Sequence, residues 1–225
     1  MLWLTQRALT LIICFSAAAG FGKSPEAASL VSKKSTTSSK EKTKYGLAVG
    51  ETAPRIKAQS IKGFAIDSES ILKKGPLLVV FYRGGWCPFC NLHLKKIERK
   101  VLYRVEAAGG QILAISVDLP EQGKGLSKRA RLSFPILSDP DAKLLKQYKV
   151  AYKLSKKEFK DYSSKGYNLE KSSGRKHHMI AVPALYVVGT DKKIAYAYVN
   201  ENYKVRAPTA DVIRAIERAA GNVHP

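Results

Sequence analysis

Two uninterrupted apolar runs dominate the middle of the chain. Leu77 to Tyr82 is entirely apolar, and Gln111 to Val117 is nearly so. Runs of this length without polar alternation are typical of strands that are buried on both faces. Both are rich in the β-branched residues that favour strands. We therefore predict two central strands here.

The segment between these runs has a helical pattern. From Pro88 onward, Leu94, Ile97, Val101 and Val105 recur at steps of three and four residues, with charged residues between them. This spacing places the apolar side chains on one helix face, and the paired glycines at 109–110 end the helix. Strand, helix and strand in this order predict a βαβ unit with a parallel sheet.

The rest of the chain predicts shorter elements and shows no internal repeat. Residues 152–179 are rich in Lys, Ser and Gly and predict a short helix followed by an irregular excursion. The last two predicted strands form a hairpin through residues 189–192, and the final helix begins with a proline. The predicted helices are Glu121 to Arg131, Asp141 to Tyr148, Lys156 to Tyr162 and Pro208 to Ala220; the predicted strands are Phe134 to Leu137, Ala184 to Val188 and Lys193 to Val199.

The first residues have the composition of a secretory signal peptide. Arg7 precedes an apolar run from Ala8 to Phe15, and small residues follow it. The run is shorter than the ~20 residues of a membrane span, so we expect cleavage after Ala19, with a retained anchor as the alternative. Cys14 lacks the small neighbours of a lipidation site. The protein is thus expected to be exported, either to a periplasm or out of the cell.

Three parts are predicted: a signal peptide at 1–19, a disordered Ser/Thr/Lys-rich tether at 20–45, and one folded domain at 46–225. The chain has 39 Lys and Arg against 18 Asp and Glu, a formal net charge of +21 at pH 7. The tether carries six lysines and two glutamates, so most of this charge belongs to the domain. A solvated basic exterior explains it best. Weak association with acidic envelope surfaces is compatible with it, whereas no specific nucleic-acid motif is present.

After removal of the signal, Cys87 and Cys90 are the only cysteines. Thiols three residues apart on a helix can form a disulfide with little backbone movement. A purely structural bridge is disfavoured because so short a loop constrains the unfolded chain little. A zinc site is disfavoured because no second cysteine pair exists and His177 and His178 are adjacent in sequence. We expect these histidines and His93 to be solvated rather than catalytic.

The favoured interpretation is a reactive pair with unequal roles. Pro88 suits the first helical position, which makes Cys87 the N-cap. The free backbone N–H groups there, and the charge of Arg83, would lower the pKa of Cys87 and make it the nucleophile, with Cys90 as the resolving thiol. The glycines at 84–85 allow a tight turn. Trp86 either covers the pair or is an ordinary half-buried aromatic residue.

The order of these features resembles the thioredoxin superfamily, in which a buried strand leads into a WCPFC-type helix start. Further motifs narrow the resemblance to the peroxiredoxin-like branch of the alkyl hydroperoxide reductase and thiol-specific antioxidant (AhpC/TSA) family, over about residues 46 to 220. The motifs are GETAP at 50–54, FYRGGWCPFCNLHL at 81–94, SFPILSD at 133–139, VPALYVV at 182–188 and NENYKVR at 200–206.

The resemblance implies an α/β, thioredoxin-like fold: a central mixed sheet flanked by helices, with an N-terminal extension. It implies a peroxidatic Cys87 that is reduced either through Cys90, as a redox-active disulfide, or by an outside thiol, without cofactor or metal. Pro183 matches the position of the superfamily's cis-proline, and Arg83 and Arg206 are candidates to hold a thiolate or peroxide. The sequence departs from the family's P-x-x-x-T-x-x-C pattern, because the threonine position is Gly84 and the proline position is Val80.

Three functions remain open. A thiol-dependent peroxidase would reduce hydroperoxides and be restored by an external thiol reductant such as a thioredoxin-like protein. An exported thioredoxin- or glutaredoxin-like oxidoreductase would act on protein disulfides, which the missing threonine favours. A non-enzymatic binding module would use its basic surface and tether to associate with acidic envelope components. The resemblance favours the peroxidase, and a homodimer is compatible with it.

Overall fold

A five-stranded mixed sheet forms the centre of the protein in the computed structural model, which describes residues 44–221. Two small two-stranded sheets accompany it. In chain order the elements are β1 (Lys57–Gln59), β2 (Ala65–Asp67), α1 (Ser68–Leu72), β3 (Leu77–Phe81), α2 (Pro88–Lys100), α3 (Leu102–Ala107), β4 (Gln111–Ser116), α4 (Pro120–Ala130), β5 (Ile136–Ser138), α5 (Lys143–Gln147), β6 (Ala151–Lys153), α6 (Lys156–Ser164), α7 (Leu169–Ser173), β7 (Met179–Ala181), β8 (Ala184–Val188), β9 (Ile194–Val199) and α8 (Thr209–Gly221).

The central sheet has the strand order β5-β4-β3-β8-β9. β3 pairs in parallel with β4, Leu77 opposite Gln111, and antiparallel with β8, Leu77 opposite Val188. The predicted βαβ unit and terminal hairpin are therefore confirmed. All five residues of β3 and of β8 are buried, as the uninterrupted apolar runs predicted. The predicted fold class, a thioredoxin-like mixed sheet with flanking helices, is also confirmed.

Alternate residues of β3 pack into two separate hydrophobic cores. Leu78 and Val80 pack with the apolar stripes of α2, α3 and α8 on one face of the sheet. Leu77 and Val79 pack on the other face, with residues such as Tyr148 of the α5 region. Because successive side chains of a strand point to opposite faces, a strand between two cores must be apolar throughout. The thiols lie in the first core.

The long helix predicted after Pro88 is in fact two helices. α2 ends at Lys100 and α3 begins at Leu102, with Val101 between them at φ −118° and ψ −37°. Val101 is buried in the same core as Ile97 and Val105. The apolar spacing stays in phase across Val101, so it could not reveal the break.

Several short elements differ from the predictions. The predicted strand near Phe134 begins later, as β5, where Ala114 of β4 faces Ile136. The helix predicted from Lys156 is present and two residues longer, and it starts with a capping box formed by Ser155 and Glu158. The elements β1, β2, α1, β6, α7 and β7 were not predicted. All six contain five residues or fewer, too few to show a periodic pattern.

The predicted signal peptide and nearly all of the predicted tether lie outside the described residues. Tyr45, predicted as the end of the tether, lies within them, and its ring meets that of Tyr152 edge-on with 6.1 Å between centroids. Residues 44–221 fall in one compact unit. In this part of the chain no helix has the length and apolar character needed to cross a bilayer.

Candidate active site

The site is built on a sharp turn between β3 and α2, here called the redox turn (residues 82–90). Gly84 has φ +151°, a conformation that side-chain-bearing residues rarely adopt. A Cβ atom at this position would lie 2.2 Å from Nε1 of Trp86. Position 84 therefore requires glycine, which gives a structural reason for the absence of the family's threonine.

Cys87 occupies the N-cap of α2, and Pro88 follows at the first helical position, as predicted. The Cys87 side chain makes no capping hydrogen bond of ordinary geometry, but the predicted effect of the helix N–H groups is present, because the Cys90 N–H helps to lower the pKa of Cys87. The extended backbone of Cys87, at φ −88° and ψ 111°, is the conformation of an ordinary N-cap. Sulfur is a weak hydrogen-bond acceptor, so the environment of the Cys87 sulfur depends mainly on the neighbouring side chains, described next.

Both thiols are free and almost completely buried, with 2% of Cys87 and 1% of Cys90 exposed. A hydrogen bond from the Cys90 thiol is the main cause that lowers the pKa of Cys87, to about 6, against the opposing effect of burial. The nearby Cys90 N–H and the charges of Arg83 and Arg206 lower it further. The same thiol contact, together with burial, raises the pKa of Cys90 well above its ordinary value.

Arg83 is a buried cation, 3% exposed, beside Cys87. Its Nη1 lies 3.9 Å from the Cys87 sulfur, and its Nη2 donates to the hydroxyl of Tyr162. The guanidinium also stacks on the ring of Tyr203, 3.9 Å from the centroid. Within residues 44–221 it forms no ion pair with a carboxylate. A buried arginine ordinarily has an anionic partner, and the thiolate form of Cys87 would supply one 3.9 Å from the guanidinium.

Arg206 reaches the other thiol. Its Nη2 lies 3.5 Å from the sulfur of Cys90, and its Nη1 donates to the backbone carbonyls of Tyr203 and Val205. The sequence analysis grouped Arg206 with Arg83 as a ligand of the reactive thiolate or peroxide. In the structure the guanidinium of Arg206 contacts the sulfur of Cys90, and its charge also helps to lower the pKa of Cys87.

A second region, the cover segment (residues 154–178), packs against the redox turn. Trp86 is half-buried between the two, and its ring centroid lies 5.6 Å from that of Tyr162 and 5.2 Å from that of Tyr167. Trp86 also packs against the core cluster that contains both thiols. The indole thus lies between the thiols and the cover segment. That it restricts the access of water to the thiols remains a prediction.

Pro183 lies close to the site but not as expected. Among the described residues no peptide bond is cis, so the Val182–Pro183 bond is trans. A trans bond is the intrinsically preferred isomer, and it continues the extended chain from β7 into β8. Pro183 and Arg83 line one cavity of about 200 Å³, with tyrosines 152, 162 and 203 in its walls.

Asp118 is a site residue that the sequence analysis missed. Its carboxylate is buried and accepts hydrogen bonds from the Gly85 N–H at 2.6 Å and from the Ser172 hydroxyl at 2.5 Å. Burial raises its pKa above the ordinary range. Asp118 thereby ties the redox turn to the cover segment. A charged residue just after the buried strand β4 was the available signal, because the carboxyl ends of parallel strands often carry functional groups.

Tyr82 was also missed. Its hydroxyl is buried and has no hydrogen-bond partner of ordinary geometry within the described residues. Burial raises its pKa, and the nearby Asp118 and Cys90 reinforce the effect. The phenol therefore remains neutral at physiological pH. No pattern in the sequence separates Tyr82 from the apolar run that precedes it.

The histidines are not simply solvated, which corrects the expectation. His177 Nε2 lies 2.7 Å from the carbonyl of Pro140, and His178 Nε2 lies 2.7 Å from Glu170. Burial lowers the pKa of His93 to about 3, so this ring is neutral. Among the described residues, no three His, Cys, Asp or Glu side chains are grouped as a metal site.

The profile of the AhpC/TSA family matches residues 49–197, about two thirds of the chain. The protein belongs to the AhpC/TSA family. A 1-Cys peroxiredoxin, PER1, of Triticum aestivum is 22% identical over 179 residues, which cover 76% of this chain and 72% of the relative.

Solved structures share the fold at low identity. The peroxidoxin BcpB of Mycobacterium tuberculosis superposes with a TM-score of 0.57 at 16% identity, covering 80% of this chain and 99% of that one. A putative protein disulfide isomerase of Bacteroides thetaiotaomicron superposes with a TM-score of 0.55 at 17% identity, covering 79% and 94%. The AhpC/TSA assignment identifies the protein as a peroxiredoxin-like oxidoreductase, as the sequence predicted. The superpositions alone would not separate peroxidase from disulfide chemistry.

Proposed function

We propose that this AhpC/TSA protein reduces hydroperoxides through Cys87 and Cys90. The observation that carries the proposal is the pairing of a buried, low-pKa Cys87 with a second thiol and with a guanidinium that has no carboxylate partner among the described residues. A thiolate is the nucleophilic form of cysteine, and an adjacent cation stabilises it. Family membership independently favours peroxide as the oxidant.

In the proposed first step, the Cys87 thiolate attacks one oxygen of the hydroperoxide. An S–O bond forms while the O–O bond breaks, and the alkoxide or hydroxide that leaves takes a proton from solvent. Cys87 is oxidised to sulfenic acid as the peroxide is reduced to an alcohol or water. Arg83, next to the sulfur, stabilises first the thiolate and then the negative charge on the departing oxygen.

In the proposed second step, Cys90 attacks the sulfenic sulfur. An S–S bond forms, and the sulfenic oxygen leaves as water with the proton of Cys90. Arg206, 3.5 Å from Cys90, favours the thiolate needed for this attack. An external dithiol then reduces the Cys87–Cys90 disulfide and becomes oxidised. The roles of Arg83, Arg206 and the two cysteines are part of this proposal.

Trp86 provides a direct measurement of these steps. The chain has two tryptophans, and Trp3 falls in the predicted signal peptide, so Trp86 is the only one in the mature chain. The reduced mature protein would be mixed rapidly with hydrogen peroxide, with fluorescence followed in time and mass measured at the end. We expect oxidation far faster than that of a free thiol, and a product lighter by the two hydrogens lost on disulfide formation. A rate no faster than that of a free thiol would overturn the proposal.

One observation favours a second function. Gly84 has no hydroxyl, whereas the family pattern has threonine at this position. Replacing Gly84 by any other residue would require the Trp86 ring to move. The site would then exchange disulfides with protein substrates, again through Cys87. A parallel mixing experiment with oxidised glutathione discriminates the two. Slow reaction with peroxide and fast reaction with the disulfide would select the oxidoreductase.

We also propose that the protein works after export, with residues 1–19 removed. The proposal rests on the charged, apolar and small residues in that order at the start of the chain. N-terminal sequencing of the protein recovered from its native cells tests it, since cleavage should expose residue 20. Recovery of intact Met1 in a membrane fraction would instead support the retained anchor.

A further inference from the structure

The redox helix α2 turns an unusual face outward. Phe89 and Leu92 in its first turns are 41% and 67% exposed, although both are large apolar residues. Lys96, Arg99 and Lys100 follow at steps of three and four, so all five side chains lie on one side of the helix. We call these five residues the outer face of α2. Its tip is apolar and the rest is basic.

The apolar tip adjoins the thiols through the loop before α8. The Phe89 ring meets that of Tyr203 edge-on at 5.8 Å, and Tyr203 in turn stacks on Arg83. Exposed Val205 lies next to Arg206, which contacts the Cys90 sulfur. A molecule seated on the tip would therefore lie beside both cysteines.

The charge on this face has no local compensation. Lys204 adds a further cation, with its Nζ 6.0 Å from the Phe89 ring centroid. Glu98, the acidic residue of α2, instead accepts hydrogen bonds from the backbone and hydroxyl of Ser133. Lys96, Arg99 and Lys100 form no ion pair within residues 44–221. The face therefore suits an occupant with an apolar centre and acidic surroundings.

This charge argues against a second copy of the chain as the occupant. Two copies meeting symmetrically would bring the same cations together, at an electrostatic cost. A flat anionic membrane would satisfy the charge, but it offers no thiol to the disulfide that the tip borders. A protein dithiol satisfies both the charge and the chemistry.

We propose that the outer face of α2 is the docking surface for an acidic, thioredoxin-type reductant. The proposal rests on the proposed function, because it concerns the step that restores the thiols. A partner thiolate attacks the Cys87–Cys90 disulfide and forms a mixed disulfide, releasing the other sulfur as a thiolate that takes a proton. The second partner thiolate then attacks the partner's own sulfur in the mixed disulfide: the partner's S–S bond forms, the intermolecular S–S bond breaks, and the released cysteine thiolate takes a proton. The partner is thereby oxidised, and both Cys87 and Cys90 are reduced.

The test compares a protein reductant with a small one. The Cys87–Cys90 disulfide would be prepared and its reduction followed by Trp86 fluorescence, with either a thioredoxin of net negative charge or dithiothreitol. We expect the pair Lys96→Glu and Arg99→Glu to slow the thioredoxin reaction at low salt by about tenfold and to remove much of its salt dependence. The dithiothreitol rate should stay within about twofold. Leu92→Ser should also slow thioredoxin alone.

A matched control carries the same change of net charge elsewhere. Lys73 and Lys74 are exposed just before β3, at the opposite end of that strand from the redox turn. The pair Lys73→Glu and Lys74→Glu should leave both rates nearly unchanged. If both pairs slowed the thioredoxin reaction equally, the change in net charge would explain the effect, and the proposed docking surface would be wrong. No slowing by either pair would overturn it as well.

Other occupants give different results. Binding to vesicles of anionic lipid that is lost in the α2 variants, while their thioredoxin rates are unchanged, would assign the face to a membrane. A sedimenting dimer that Leu92→Ser dissociates would assign it to a second copy. Either result would overturn the proposal.

The docking test is separable from the peroxidase test. The disulfide can be prepared with diamide, a thiol oxidant, so reduction is measurable even when peroxide fails to oxidise Cys87. Failure with peroxide alone would overturn the peroxidase proposal and leave the docking result standing. Failure of every oxidant to join Cys87 to Cys90 would overturn both.

Discussion

The redox turn and the cover segment meet at the same pair of thiols, but they are specified in different ways. The redox turn follows from neighbouring residues: a buried strand, a glycine at φ +151°, and a proline at the first position of α2. The cover segment has only short helices, and its few buried residues depend on distant partners such as Trp86. Local sequence fixes one region, and tertiary contact fixes the other.

The redox turn supplies the reactive groups, and the cover segment contributes to the environment that sets their reactivity. The two sulfurs belong to the redox turn. Their surroundings include the hydroxyl of Tyr162, which receives a hydrogen bond from Arg83 across 79 positions of sequence, and that of Ser172, which bonds to Asp118 across 54. We therefore expect changes in the redox turn to abolish reactivity or disrupt the local fold. Changes in the cover segment should shift rates.

The largest effect should come from removing the proposed nucleophile. Cys87→Ser should lower the rate of peroxide reduction by at least about a thousandfold, because a serine hydroxyl does not ionise in this pH range. Peroxide consumption measures this directly. Cys90→Ser is the matched variant, and it should still undergo a single oxidation that mass spectrometry detects. Sustained turnover by the Cys87 variant would identify another nucleophile.

The next effect tests the geometry of the redox turn. Gly84→Thr should restore the family residue but destabilise the fold by about 2–4 kcal/mol, from backbone strain and the collision with Trp86. Chemical denaturation gives the free energy of unfolding. Gly63→Thr provides the control, because Gly63 has φ +87° with no atom near its missing Cβ, so strain acts there alone. Equal losses at both positions would show that the indole moves aside freely.

A similar loss should follow from cutting the link between the two regions. Asp118→Ala leaves the Gly85 N–H and the Ser172 hydroxyl without their acceptor, and should cost about 2–3 kcal/mol of unfolding free energy. Asp118→Asn keeps one acceptor oxygen and should recover part of this. The exposed Asp161→Ala is the control and should change stability by less than about 0.5 kcal/mol. A neutral Asp118→Ala would mean that the cover segment is held mainly by its aromatic contacts.

The pH dependence should be about tenfold between pH 7 and pH 5. Because the pKa of Cys87 is lowered to about 6, the thiolate fraction, and with it the oxidation rate, should rise with pH and level off by about pH 7. Rapid-mixing rates at a series of pH values give the midpoint. Cys90→Ala removes the main hydrogen-bond donor and should shift the midpoint upward. A midpoint near the ordinary cysteine value in the unaltered protein would refute the assigned environment.

The smallest effect should come from the cover segment itself. Tyr162→Phe removes the hydroxyl that accepts from Arg83 but keeps the ring on which the guanidinium stacks. We expect the oxidation rate to fall about two- to fivefold, the effect of one lost hydrogen bond. Tyr103→Phe, on an exposed tyrosine, should have no effect. A loss as large as that of Cys87→Ser would give Tyr162 a direct part in the chemistry.

The sequence predicted the elements in which the pattern of apolar residues extends over five or more residues. β3 and β8 are apolar throughout because cores lie on both of their faces, and α8 shows its buried stripe over 13 residues. Three-residue strands such as β6 and β7 have no period to detect. The break at Val101 left the apolar spacing in phase. These errors arise from short length and unchanged phase, not from unusual chemistry.

The residues' own pattern predicted the site only within the redox turn, whereas Pro183 and Arg206 came from the family resemblance. The pair Cys87 and Cys90, and the nearness of Arg83, follow from spacing along the turn and helix. Tyr162 lies on a lysine-rich helix with no buried residue, so nothing in the local pattern marks it. Asp118 had a signal, a carboxylate directly after a buried strand. The association of distant residues is a property of the tertiary fold, which local patterns do not encode.

The contact between Gly84 and Trp86 constrains how this protein can change over evolutionary time. The space that a side chain at position 84 would need is filled by the indole nitrogen. A lineage that acquired threonine there while keeping the tryptophan would have to displace the indole at a cost in stability, whereas exchanging the tryptophan for a smaller residue would open a gap between the thiols and the cover segment. Tryptophan at position 86 therefore favours glycine at position 84 and disfavours threonine there. A change at either position therefore alters the selective constraint on the other.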